Sequence, residues 1–124
     1  MKIGVPKEIK PQEHRIGLTP DSVKTLVSEG HEVIVESKGG FEAGFDNDQY
    51  TNAGAKIAST ASDIFNDAEI IVKVKEPQKI EVDMIRENQI IYTYLHLAAA
   101  KELTEGLIKS KSINIAYETV TDDN

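Results

Sequence analysis

Three kinds of reactive side chain occupy comparable places in this sequence. The apolar, β-branched run Glu69-Ile70-Ile71-Val72-Lys73-Val74-Lys75-Glu76-Pro77 delivers two lysines at its C-terminal end, just before a Glu-Pro stop. A buried ammonium is costly unless something negative meets it, and at a strand end it can bind a substrate oxygen and polarise a carbonyl. The competing reading is a pair of lysines whose stems lie along a sheet rim with their heads in water. Lys75, nearer the edge and beside Glu76, is the better candidate, while Lys73 reads as supporting or solvated. A second run, Gln89-Ile90-Ile91-Tyr92-Thr93-Tyr94-Leu95, leads into His96. An imidazole with an unperturbed pKa of ~6.5 suits proton transfer near neutrality, against the alternative of a packed histidine bonded to a backbone carbonyl. Arg15, in Lys10-Pro11-Gln12-Glu13-His14-Arg15, can grip a carboxylate with two parallel hydrogen bonds; otherwise it is a surface arginine paired with Glu8 or Glu13. His14 and His31 fall in polar loops and read as solvated, and Tyr92 and Tyr94 as packing residues, Tyr94 being placed to line a pocket.

Strand and helix patterns alternate along the chain and must position these residues. Lys2–Val5 reads as a strand stopped by Pro6. Thr19 as N-cap, Pro20 at the first helical position and Asp21 near the positive end start a helix whose Val23, Leu26 and Val27 share a face and which Gly30 ends. Glu32–Glu36 is a strand, followed by a loop bearing Gly39, Gly40 and Gly44. Asp46 caps a short helix ending at Gly54, Ala55–Ala58 is a weak strand, and Thr60 or Ser62 starts a helix through Ile64 and Phe65. The clearest strands are Ile70–Lys75 and Gln89–Tyr94, with a short charged helix around Val82–Glu87 between them. A helix over Ala98–Ser110 turns Leu103, Leu107 and Ile108 inward, and Ile113–Tyr117 is the last strand. Strands joined through helices predict an α/β fold: an open, mostly parallel sheet with helices on both faces, a Rossmann-like or flavodoxin-like three-layer sandwich. Such sheets bind ligands outside the carboxyl ends of their strands, where Lys73, Lys75, His96, the Lys7–Arg15 loop and Glu118 would all lie.

Composition narrows the classes. The 124 residues suit one domain with a modest core, and 40% hydrophobic content fits a globular chain. A net charge of −7 argues against a nucleic-acid binder. No apolar run approaches the ~20 residues of a membrane span, and no signal peptide is visible after Met1. The absence of Cys excludes thiolate catalysis and accords with a cytoplasmic protein. Gly39-Gly40 with Gly44 lacks the spacing of a dinucleotide fingerprint, and no phosphate or metal motif appears.

Several ordered motifs resemble a known family. Gly4-Val5-Pro6-Lys7-Glu8, Glu13-x-Arg15, and Thr19-Pro20-x-Ser22-Val23-x-x-Leu26 with Gly30 are similar to the N-terminal signature of the alanine dehydrogenase and pyridine nucleotide transhydrogenase family. Val72-Lys73-Val74-Lys75-Glu76-Pro77, Leu95-His96-Leu97-Ala98-Ala99 and Ala116-Tyr117-Glu118-Thr119-Val120 resemble its alanine dehydrogenase branch. The chain departs at Gln12, where the family usually has Asn, and at Ile16-Gly17, where Val-Ala is usual. The resemblance implies an NAD-dependent enzyme interconverting L-alanine with pyruvate and ammonia. Arg15 would hold the substrate carboxylate, Lys75 would bind the substrate and polarise its carbonyl, and His96 would be the general acid/base. It also implies that residues 1–124 are the N-terminal part of the substrate-binding domain. The NAD-binding Rossmann domain would then lie elsewhere, the chain would be inactive alone, and apolar surface would be left open to self-association. The family forms homo-oligomers, commonly hexamers. The alternatives are the corresponding part of a transhydrogenase subunit and a non-catalytic module that binds a small acid.

Overall fold

In the computed structural model, residues 1–93 and 101–116 are described, apart from the side chains of 101–104 and 116. Six strands form one parallel sheet: β1 (Lys2–Val5), β2 (Glu32–Glu36), β3 (Lys56–Ala58), β4 (Ile70–Val72), β5 (Ile90–Thr93) and β6 (Ile113–Ala116). Their spatial order is β3-β2-β1-β4-β5-β6. That is the Rossmann order rather than the flavodoxin one, and its switch point lies between β1 and β4.

Five helices connect the strands: α1 (Pro20–Ser28), α2 (Asn47–Asn52), α3 (Ala61–Asp67), α4 (Lys79–Val82) and α5 (Lys101–Ser110). Alternation along each strand sends side chains to two cores. Ile3, Val5, Val33, Val35 and Val72 pack with Val23 of α1 and Tyr50 of α2. On the other face Ile34, Ile71 and Ile91 pack with Ile64 and Phe65 of α3, Ile85, and Leu107 of α5. Gly4 faces α3: a Cβ there would stand 2.7 Å from the Cβ of Ala68 and from Cγ2 of Ile64. Only hydrogen fits where α3 crosses the central strand, because interiors have no slack for an added carbon.

The helix starts expected from sequence form as capped termini. Thr19, Asp46 and Thr60 accept from the backbone N–H of Ser22, Gln49 and Asp63, at 3.2, 2.9 and 3.2 Å. Other expectations need correction. The helix placed around Val82–Glu87 lies earlier, at Lys79–Val82, because the Glu81 carboxylate accepts the Gln78 N–H at 2.9 Å and fixes the start just after Pro77. Ile108, expected inward, is 72% exposed; Leu107 takes the core position, and the next residue of a helix is rotated by about 100° from it. β4 stops at Val72 rather than Lys75. Tyr94, His96, the start of the expected Ala98–Ser110 helix, Tyr117 and Glu118 lie outside the described residues. Among the described residues no helix is long and apolar enough to cross a membrane.

Candidate active site

The carboxyl ends of β1 and β4 meet at the switch point, and the loop after β1 folds down onto them. Gly17 permits this: a Cβ there would lie 2.5 Å from the carbonyl oxygen of Val72. Ile16 is buried beneath the loop, and the Tyr50 hydroxyl donates to the Leu18 carbonyl at 2.8 Å. Burial pushes the Tyr50 phenol up to about 12. Lys10 reaches across to Glu76, with Nζ 2.6 and 3.0 Å from its two carboxylate oxygens, and so ties this loop to the segment after β4. The loop turns at Gln12, whose φ of 68° lies in the left-handed region.

Arg15 is aimed by its neighbour. Glu13 accepts the Arg15 backbone N–H and Nε on one oxygen, at 2.8 and 2.9 Å, and Nη2 on the other at 3.0 Å. The Glu13 side chain is 5% exposed and that of Arg15 67%. Hydrogen bonding to the guanidinium holds the Glu13 carboxyl down to about 2, and the charge of Lys75 adds to that shift. The alternative raised for Arg15, pairing with Glu13, is therefore present, in the bidentate geometry that also suits a carboxylate ligand. A shallow opening of about 180 Å³ runs beside it, lined by Lys7, Glu8, Glu13, His14, Arg15 and Glu42; Lys75 is not part of its lining. His14 is exposed and pairs with Glu42, whose carboxyl the imidazole lowers. His31, expected solvated, is half-buried with Nδ1 lacking a hydrogen-bond partner.

The two lysines separate sharply. Lys73, read as a rim or solvated residue, is 1% exposed. Its Nζ lies 3.1 Å from Oε1 of Glu8 and 3.0 Å from Oε2 of Glu81, both carboxylates equally buried. Glu81 meets the ammonium as an ion pair, and burial pushes its carboxyl above the ordinary range despite Lys73. Glu8 does more than pair: Oε2 accepts the Val74 N–H at 2.9 Å and Oε1 the Lys75 N–H at 3.1 Å. Those amides are lost to the sheet, which is why β4 ends at Val72 although its apolar pattern continues. Lys75 itself is half-buried, and its carbonyl accepts the Thr93 hydroxyl at 2.7 Å. Thr93 closes the described part of β5, three residues before His96 in the chain.

Arg15 is paired with Glu13, which also feels the charge of Lys75, while His96 lies outside the described residues. Sequence reasoning offered Glu8 and Glu13 only as surface partners of Arg15, and missed Glu8 and Glu81 as the partners of Lys73. A signal existed for both of the latter: Glu8 follows the Pro6 strand stop, and Glu81 stands three residues after Gln78, at capping-box spacing. Among the described residues no cluster could hold a metal ion.

Comparison with known proteins places this geometry. A model of the alanine dehydrogenase/PNT N-terminal domain matches residues 4–124. An alanine dehydrogenase of Halomonas elongata is 49% identical over 121 residues, 98% of this chain and 33% of that protein. A solved L-alanine dehydrogenase superposes with a TM-score of 0.97 at 52% identity, over 100% of this chain and 34% of the other. A transhydrogenase from Sinorhizobium meliloti superposes with a TM-score of 0.89 at 27% identity, over 95% and 34% of the two chains. The chain spans about a third of the length of the curated relatives it matches. With a family model that spans residues 4–124 and a solved relative that superposes over the whole chain, the chain belongs to the alanine dehydrogenase/PNT N-terminal domain family.

Proposed function

We propose that this chain is the substrate-holding part of an NAD-dependent L-alanine dehydrogenase, which interconverts L-alanine with pyruvate and ammonia. The observation that carries the reading is that two cations act on Glu13 near the switch point, Arg15 through hydrogen bonds and Lys75 through its charge. An oxo acid offers a carboxylate and a neighbouring carbonyl, and the guanidinium fork and the ammonium answer those two groups in turn. Glu13 aims the fork, so the carboxylate is received by a donor whose geometry is set beforehand. The Lys75 ammonium draws electron density onto the carbonyl oxygen. His96 takes up and releases the proton as that carbon changes between carbonyl and amine-bearing forms. The greater likeness to the alanine dehydrogenase, 52% against 27% identity, favours this reading over a transhydrogenase subunit.

The described residues do not fit the cofactor. A dinucleotide-binding turn after the first strand offers glycines and open amides to a pyrophosphate. Here that turn is Pro6-Lys7-Glu8: Pro6 has no N–H, and Glu8 is a buried carboxylate that would repel a phosphate. NAD is therefore assigned to a Rossmann domain in the remaining two thirds of the whole protein. We place that protein in the cytoplasm, as a homo-oligomer.

Turnover of the full-length protein, followed by NADH absorbance with L-alanine or with pyruvate and ammonia, tests the assignment. Lys75→Ala and His96→Ala each lower kcat by about 10²-fold or more, and Arg15→Met raises KM for pyruvate. Near-wild-type kcat in either of the first two would remove that residue from the mechanism. Residues 1–124 alone should bind no NAD by calorimetry, and micromolar binding would overturn the division of labour.

A further inference from the structure

We propose that Glu8 is a positioning residue for Lys75: its buried carboxylate, clamped by Lys73, sets the backbone path from which Lys75 reaches the substrate. The inference rests on the reading of Lys75 as the group that holds the oxo acid. Glu8 sits just after β1, 65 to 67 residues from the atoms it holds. Its two oxygens take three donors: the Lys73 ammonium and the amides of Val74 and Lys75. The Lys75 peptide is thereby fixed at both ends, its N–H by Glu8 and its carbonyl by Thr93. Release of Glu8 would leave the amides of Val74 and Lys75 without their acceptor, so the backbone path of residues 73–75, and with it the direction of the Lys75 side chain, would no longer be fixed.

Lys73 explains why the clamp holds. It stands between Glu8 and Glu81, and Glu81 is bonded through its other oxygen to the first turn of α4. The loop after β1, the end of β4 and the start of α4 are joined through one ammonium. Neither lysine–carboxylate contact reaches solvent, each side chain being 1% exposed. Displacement of a catalytic group by about 1 Å can cost about 10²-fold in rate, so such fixation of the Lys75 backbone has kinetic weight.

The test is made in the full-length enzyme. Glu8→Gln leaves Lys73 with Glu81, one buried cation facing one buried anion, so no charge is left without a counter-charge and the variant should fold. Its kcat falls about tenfold or more and its KM for pyruvate rises while KM for NADH is unchanged, and the amides of Val74 and Lys75 lose protection from hydrogen exchange. Adding Glu8→Gln to Lys75→Ala costs little further, because the two act through one contact with substrate. Glu8→Asp, which keeps the charge but draws the carboxylate back by one methylene, shows the same split and serves if Glu8→Gln does not fold. The proposal is overturned by wild-type kcat and KM for pyruvate, by an equal rise in KM for NADH, or by full additivity with Lys75→Ala. Unchanged amide protection overturns the clamp itself. Wild-type turnover in Lys75→Ala is a different failure, since it removes the functional reading while the exchange data still report on Glu8.

Discussion

Replacement of Lys73 by Met removes one charge from a buried set of three and keeps nearly the same volume. The ammonium lies 3.1 Å from Glu8 and 3.0 Å from Glu81. At an effective dielectric of about 20, each contact supplies about 5 kcal/mol of gross attraction. Most of that offsets the desolvation of the charged groups, but the variant loses the attraction and keeps the desolvated carboxylates. The net loss should be about 3–5 kcal/mol at pH 7, a large part of the roughly 5–15 kcal/mol that holds a domain together. The sign of the pH dependence follows. Without the cation the Glu81 carboxyl, already raised by burial, loses the charge that opposes that rise, so the folded state takes up a proton first as pH falls. Lys73→Met therefore regains stability relative to the parent between pH 7 and 5, until about 1 kcal/mol of lost hydrogen bonding remains. Urea unfolding of this chain and its variant at both pH values, read by circular dichroism, measures the gap. Equal stability at pH 7, or a gap that does not narrow by pH 5, would refute the account of Lys73 as the counter-charge to Glu8 and Glu81.

Two further expectations concern the loop that carries Arg15. Gln12→Asn should stabilise the chain by about 0.5–1 kcal/mol, since Asn tolerates the left-handed region better than Gln and position 12 has φ 68°; an unchanged or lower unfolding midpoint counts against the turn described. Glu13, with its carboxyl lowered from 4.5 to about 2, contributes stability that is present above about pH 4.5 and lost as pH falls towards 2. Because Arg15 is largely exposed, the contribution is at most about 1 kcal/mol. The parent and Glu13→Gln should differ at pH 7 and converge near pH 2, and a difference that persists there contradicts the pairing.

The layers of this fold were legible because they follow from local patterns. Thr19-Pro20-Asp21 and Asp46 announce helix starts, and the β-branched runs at 32–36, 70–72 and 90–93 announce strands. Lys73 was misread because a single sequence shows which side chains are charged, not which distant ones will meet them. Its partner Glu8 is 65 residues away, joined only once β1 and β4 pair. The shortening of β4 was hidden for the same reason, since a side chain rather than a turn residue ends the ladder. Arg15 and Lys75 were candidates from their positions and the family likeness gave them roles, while the reach of the Lys75 charge to Glu13 is visible only in three dimensions.

The sheet order also imposes a schedule on synthesis. β1 leaves the ribosome first, finds β2 about 30 residues later, and waits for β4 until residue 70 has been made. At about 5–20 residues per second that interval lasts seconds, far longer than hairpin or helix formation. Through it the far edge of β1 has no neighbour and Glu8 stands in water without its lysine. A carboxylate there keeps the nascent edge charged at its end, where it deters pairing with another chain. The same group is drawn into the interior only when Lys73 arrives.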